Sequence, residues 1–413
     1  MSLPPEPPAT TLLVTLTGRD RPGLTAQLFA ALSAHDVEVL DVEQVTVRGR
    51  LVLAVLLHPV GAPDAADADA ALRRSLTALG DQLGVEVELS PGRGDRRRPP
   101  GRAHITVLGF PLRPGAVAAL TDAVAKAGAN IDRIVRLASY PVTSIEFEVS
   151  GADPARLRAD LAAVALAEGA DVAVQPSGLL RRAKRLVVMD VDSTLVQGEV
   201  IEMLAEKAGV LDQVASVTAR AMAGELDFAA SLRERVRLLA GLPASAVAEV
   251  RAAVQLTPGA RTLVRTLKRL DYRCAIVSGG FSQITDPLAD ELGIDYSAAN
   301  TLEIAGDVLT GGLVGPILDR PGKAAALARF AAAEGIPLSQ TVAIGDGAND
   351  LDMIAAAGLG VAFNAKPVVR SAADTAVNVP YLDAILYLLG ISRDDIEAAD
   401  AADGTPTPSP PVR

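Results

Sequence analysis

From residue 11 to residue 90 short apolar runs alternate with amphipathic stretches. Residues 11–17 read as a strand and 18–23 as a turn. Residues 24–35 read as a helix with Leu24, Leu28, Ala31 and Leu32 on one face. Two strands, 37–47 and 51–58, follow, then a helix over 66–83 and a strand over 85–89. The order βαββαβ is the ferredoxin-like arrangement. Proline, glycine and arginine dominate 91–101, which reads as a linker. The same order then recurs: strand 104–108, turn 109–115, helix 116–127, strands 131–138 and 143–149, helix 154–168 and strand 171–175. This is an internal repeat over 11–90 and 102–178. Both first turns open with a glycine, Gly18 or Gly109, and close with Pro-Gly.

Beyond residue 182 the pattern changes to apolar strands alternating with helices, which specifies a parallel α/β sheet. The run Leu186-Val187-Val188-Met189 suits a strand covered on both faces, and it stops at Asp190 and Asp192. A second strand, 273–278, ends at Ser278-Gly279. A third, 341–346, ends in Asp346, Asn349 and Asp350. Residues 359–363 and 375–379 read as two more. The stretch between Thr194 and Ser278 is too long for a direct crossover and carries helical periodicity, so a small helical cap is expected over about 198–256. The α/β domain as a whole is expected over 182–392. Residues 1–10, and 393–413, acidic then proline-rich, read as disordered tails.

An Asp-x-Asp taken alone caps a helix as readily as it does chemistry. Three strands that all end in polar groups are harder to explain in that way, because ligands in parallel sheets bind at the carboxyl ends of strands. Two neighbouring buried acids also repel, and a hard divalent cation with oxygen ligands would relieve them. Lys323 follows Pro-Gly at a helix start, where the helix dipole disfavours a cation, so an anionic ligand is its expected partner. The three histidines, His35, His58 and His104, all lie in the repeats, and Cys274 falls inside a strand. Carboxylates must therefore do the covalent and proton chemistry of the second half.

Composition narrows the picture further. The net charge of −11 argues against a nucleic-acid or anionic-membrane surface. One cysteine permits no intramolecular disulfide, and residues 1–8 lack the regions of a signal peptide, so a cytoplasmic protein is expected. No apolar run approaches the ~18 residues that span a bilayer.

The repeats resemble ACT domains, on Thr17-Gly18-Arg19-Asp20-Arg21-Pro22-Gly23-Leu24 and, more loosely, on Gly109 and Pro114-Gly115. That resemblance implies amino-acid binding in which the turn holding Gly18, Asp20 or Gly109 contributes, unless the glycines only make the turn. It also implies a homodimer or larger assembly. The second half resembles the haloacid dehalogenase-like phosphatases. Four motifs carry the likeness: Asp190 to Thr194, Ser278-Gly279, Lys323, and Gly345 to Asp350. The cap further resembles the branch that hydrolyses O-phospho-L-serine. The resemblance implies a Rossmann-like sheet, Asp190 as nucleophile, Asp192 as general acid and base, and Mg²⁺ held by Asp190, the Asp192 carbonyl and Asp346, with Asp350 behind those ligands or ligating through water. It implies that Ser278, Gly279 and Lys323 meet the phosphoryl group and that Asn349 positions the phosphate or the nucleophile. Glu199 would meet the substrate ammonium and Arg235 its carboxylate, with Met222 and Phe228 lining the cap. L-serine, the product, is the expected effector.

Overall fold

The computed structural model describes residues 11–59, 65–92 and 100–407. The expected tail over 1–10 and most of the linker, 93–99, lie outside the described residues. The chain divides into two compact units, Met1–Arg98 and Pro99–Arg413.

In the first unit, β1 (Thr11–Arg19), β2 (Val37–Val47), β3 (Arg50–Pro59) and β4 (Glu86–Gly92) form one antiparallel sheet in the order β2-β3-β1-β4. Period-2 alternation puts Leu12, Val14 and Leu16 of β1, and Leu53, Val55 and Leu57 of β3, on one face. There they pack with Leu24 and Leu28 of the helix Leu24–Leu32 and Leu72 and Leu76 of the helix Ala65–Leu83. Pro91 and Gly92, expected in the linker, belong to β4. As an edge strand, β4 tolerates proline without losing a ladder bond from an inner strand.

In the second unit, β5 (Ala103–Gly109), β6 (Asn130–Ala138), β7 (Thr143–Ser150) and β8 (Asp171–Pro176) repeat that arrangement in the order β6-β7-β5-β8. This repeat does not stand alone. Its β8 pairs antiparallel with β15 (Thr375–Val377) through Ala173 and Thr375, so one eleven-stranded sheet runs through the unit. Asp171 of β8 accepts from the Asn378 backbone and side chain at 2.6 Å each, and Gln175 donates to the Leu388 carbonyl at 2.7 Å. Leu108, Leu137, Val142 and Ala173 share a core with Tyr387, Leu388 and Ile396.

The catalytic part of that sheet contains β9 (Leu186–Asp190), β10 (Arg273–Phe281), β11 (Tyr296–Ala305), β12 (Val308–Val314), β13 (Thr341–Gly345) and β14 (Gly360–Phe363), with β15 at the joint. Strands β11, β10, β9, β13, β14 and β15 run parallel, and β12 returns antiparallel at the edge. The fold is therefore α/β, with two ferredoxin-like repeats before a Rossmann-like sheet. All of β9 is buried, as its unbroken apolar run requires. Helices cover both faces, Ala260–Arg269 on one and Arg320–Ala333 on the other.

The segment between β9 and β10 folds into helices Val200–Ala208, Leu211–Met222, Phe228–Arg237 and Ala244–Ala253, with a core of their own. The β11–β12 hairpin joins that core through Leu302 and Leu309, and the backbones of Leu309 and Leu242 bond at 2.9 Å.

The expected C-terminal tail over 393–413 is corrected in its first part. Arg393–Ala402 is a helix with a capping box at Ser392 and Asp395. Ile396 is buried, and the fully buried Asp400 accepts from Arg265 at 2.7–2.9 Å and from Arg269. Acidic residues read as a solvated tail; here one of them is neutralised by two arginines distant in sequence.

Candidate active site

The three motif-bearing strands are neighbours, in the order β10-β9-β13. Their carboxyl ends therefore open into one cavity of about 710 Å³ between the sheet and the cap helices. Asp190 is the last residue of β9 and is 3% exposed. Its Oδ1 accepts from the Val191 N–H and from Lys323 Nζ, each at 2.7 Å. The chain then makes a turn in which Ser193 takes a left-handed conformation, φ +57°. Asp192 is held at both oxygens, Oδ1 by the Val200 N–H at 2.8 Å and Oδ2 by Ser278 Oγ at 3.0 Å. Ser278, at the bend of β10, accepts in turn from the Gly280 N–H at 2.7 Å.

Lys323 is 1% exposed and lies beneath the cavity, bridging Asp190 and Asp350 at 2.7 Å each. Burial opposes its charge, but the two carboxylates prevail and raise its pKa. On the third strand, Asp346 Oδ1 accepts from Thr194 Oγ1 at 2.9 Å, and Asp350 Oδ2 accepts from the Gly347 N–H at 3.0 Å. Gly345 must lack a side chain, since a Cβ there would stand 2.4 Å from the Asp350 carboxyl carbon.

Asp190, Asp346 and Asp350 bring one oxygen each within 4.8 Å of one another. Three carboxylates against one lysine leave an anionic excess. Burial and the Asp350 charge raise the pKa of Asp190, and burial pushes Asp346 up to about 6. Hard oxygen donors with uncompensated charge are the donor set a divalent cation requires, so these residues fit such an ion.

The cap supplies the opposite wall. Glu199 precedes the helix Val200–Ala208, and its Oε1 accepts from Ser193 Oγ at 3.2 Å. Burial and the nearby Asp192 push its pKa up to about 7. Arg235 enters from the helix Phe228–Arg237. Its Nε is buried without a hydrogen-bond partner, and burial lowers its pKa against the attraction of Glu199, Asp192 and Glu202. Phe228 packs over Gly279, where a Cβ would lie 3.1 Å from the ring. Gly279 and Asn349 also line the cavity. Met222 ends its helix, but its side chain lies outside what the structure describes.

Comparison with known proteins accounts for this arrangement. Residues 187–355 match the haloacid dehalogenase-like hydrolase family, and residues 10–90 and 102–175 each match an ACT domain family. The chain is 60% identical over 391 residues to a phosphoserine phosphatase of Streptomyces coelicolor, covering 94% of each chain. The chain belongs to the phosphoserine phosphatase family. Phosphoserine phosphatase SerB2 of Mycobacterium tuberculosis is 53% identical over 403 residues, 96% of this chain and 97% of that one. A crystal structure of a probable phosphoserine phosphatase from Vibrio cholerae, in unliganded form, superposes with a TM-score of 0.57. It has 34% sequence identity and covers 71% of this chain and 88% of that one.

Membership of the phosphoserine phosphatase family makes the chain a haloacid dehalogenase-like hydrolase, and the remaining positions can be placed against that. Lys366 lines the same cavity and was not singled out from the sequence. It follows β14, and the rule that drew attention to the ends of β9, β10 and β13 applies equally to that strand. Glu202 and Thr218 of the cap are further lining residues. The three positions expected to serve an effector make these local contacts. A Cβ at Gly18 would meet Val85 Cγ1 at 2.6 Å, and one at Gly109 would meet Leu112 Cα at 2.5 Å, so each glycine permits a close packing contact. Asp20 bonds through its N–H to the Gly49 carbonyl at 2.7 Å and accepts from Thr46 at 3.3 Å. No helix among the described residues is long and apolar enough to cross a membrane.

Proposed function

We propose that this enzyme hydrolyses O-phospho-L-serine to L-serine and phosphate in the presence of Mg²⁺. The observation that carries the reading is the charge layout of the cavity. A half-buried cation, Arg235, and an acid, Glu199, line the wall of the cavity that faces a floor of catalytic carboxylates. An α-amino acid needs one group of each sign, and an arginine grips a carboxylate with two parallel hydrogen bonds.

In this reading Asp190 attacks phosphorus. Its Oδ1 is already tied to Val191 and Lys323, which leaves Oδ2 as the attacking atom. The Asp–O–P bond forms as the bond from phosphorus to the serine oxygen breaks. Burial raises the pKa of Asp192, which favours the protonated state that a general acid needs. Asp192 gives that proton to the leaving serine oxygen, then takes one from the water that cleaves the aspartyl-phosphate and restores Asp190. Lys323 limits the repulsion between Asp190 and the incoming phosphate, and Ser278 fixes the Asp192 carboxyl. Gly279 and Asn349 line the part of the cavity where the phosphoryl group would sit. Asp190, Asp346, Asp350 and the Asp192 carbonyl would hold the Mg²⁺, which supplies charge neutralisation at the phosphoryl oxygens.

A phosphate-release panel tests this. Phosphoserine with Mg²⁺ should be turned over well ahead of phosphothreonine, sugar phosphates and a phosphoserine peptide, and chelation should abolish turnover. A peptide hydrolysed as well as free phosphoserine would overturn the substrate assignment. The ACT repeats support regulation by an amino acid, with L-serine as effector and a homodimer or larger assembly as its form. Inhibition of the full chain by L-serine should then contain a component that phosphoserine does not compete away.

A further inference from the structure

Among the described non-glycine residues with left-handed backbone, Arg48, Ser193, Asp271, Asp307 and Asn364, only Ser193 lies in the loop that carries the catalytic acids. Serine has no special tolerance of that region, whereas glycine adopts it freely. A strained residue persists only where its surroundings hold it, and such residues gather at functional sites. The surroundings here are explicit. The Ser193 N–H donates to the Gly198 carbonyl at 3.0 Å, which closes the loop, and Thr257 pins the next residue by donating to the Thr194 carbonyl at 2.7 Å. The left-handed step sends three successive side chains to three destinations. Asp192 goes to Ser278, Thr194 to Asp346, and Ser193 to Glu199. The contacts of Asp192 and Thr194 serve the phosphate side of the cavity. That of Ser193 is the sole hydrogen bond to the Glu199 carboxylate among the described residues.

We propose that Ser193 is a positioning residue for substrate selection. Its hydroxyl aims Glu199 at the ammonium of an α-amino-acid phosphate, and the backbone strain is kept because glycine would lack that hydroxyl. Ser193 touches no substrate atom; it acts through Glu199. This deepens the function proposed above and rests on it.

The test compares Ser193→Ala and Ser193→Gly with the full-length parent on phosphoserine and on an aryl phosphate, which has no ammonium. Losing one hydrogen bond to the carboxylate should raise KM for phosphoserine by about three- to tenfold with little change in kcat. KM for the aryl phosphate should move far less. Ser193→Gly should also melt about 1–3 °C above the parent, because it removes the strain. Rising stability with falling selectivity separates positioning from a structural role, in which both would fall together. In a Glu199→Gln background, Ser193→Ala should add nothing. An unchanged KM for phosphoserine, equal losses on both substrates, or an additive loss in the Glu199→Gln background would each overturn the proposal. A parent that does not prefer phosphoserine, or a Glu199→Gln variant that keeps the preference, would overturn the functional reading and this proposal with it. A selective parent and a selectivity-defective Glu199→Gln beside a silent Ser193→Ala would overturn this proposal alone.

Discussion

Replacing Arg235 by methionine isolates one recognition contact. Its Nε is buried without a partner, and no ion pair within 4.0 Å joins it to any described residue. A half-buried arginine with its Nε enclosed and unpaired contributes little to the fold, so its cost must be recovered when a ligand arrives. Two parallel charge-assisted hydrogen bonds to a carboxylate are worth about 1.5–3 kcal/mol, and each 1.36 kcal/mol is tenfold in rate, so kcat/KM for phosphoserine should fall about 10- to 150-fold. O-phosphoethanolamine has the ammonium and the phosphate but no carboxylate, and should lose less than about threefold. Stability should hardly change, since relief of the guanidinium's burial offsets the attraction it gave to Glu199, Asp192 and Glu202. The melting temperature is expected within about 2–4 °C of the parent. Steady-state kinetics on both substrates, with a thermal melt of each protein, gives all three numbers. Equal losses on the two phosphates would mean that Arg235 serves the phosphate or the cap. A large drop in melting temperature would mean that it is structural. Either result would refute the reasoning.

Other outcomes follow from the same geometry. Asp190→Asn keeps the shape and removes the attacking anion, so kcat should fall at least ~10³-fold; beryllium fluoride trapped on Asp346 instead of Asp190 would contradict the assignment. Lys323→Met leaves Asp190 and Asp350 buried together without their shared cation and should cost about 3–5 kcal/mol by denaturant unfolding, while abolishing activity. For Asp400, burial works against ionisation, but Arg265, Thr407 and Arg269 hold its carboxyl well below the usual range. A lowered pKa stabilises the fold fully above the unfolded value of ~3.9 and is lost as the pH falls through the folded value. Asp400→Asn should therefore destabilise at pH 7, and the difference from the parent should shrink in acid.

The three strands that matter most were plain from their residues. Each of β9, β10 and β13 is a run of apolar side chains that stops at a polar motif, and a parallel sheet leaves those ends side by side. The β11–β12 hairpin was legible but overlooked. Gly306 and Asp307 both have positive φ, the signature of a tight two-residue hairpin turn, and Gly-Asp between apolar runs announces it. The helix Arg393–Ala402 was only half legible. Ser392 and Asp395 are a local capping signal, but Asp394, Asp395 and Asp400 look solvated until Arg265 and Arg269 arrive from more than a hundred residues away. That Lys323 bridges two acids, Asp190 and Asp350, had no local signal, because the three residues come from distant parts of the chain. The β8–β15 joint rests on a single register pair, Thr375 with Ala173, for which neither strand carries a signal.

That joint determines where the protein can be cut. A fragment beginning at residue 182 would turn β15 into an unprotected sheet edge and bare the apolar side chains that Leu108, Leu137 and Val142 cover. It would also take Arg158 away from Asp374 and Gln175 away from the Leu388 carbonyl. Exposed edges and apolar patches invite self-association, so loss of activity in such a fragment would report aggregation before it reported regulation. A fragment beginning at residue 100 keeps all eleven strands, and only the first repeat is removed. Dissecting what each repeat contributes therefore requires whole deletion for the first and point substitutions for the second.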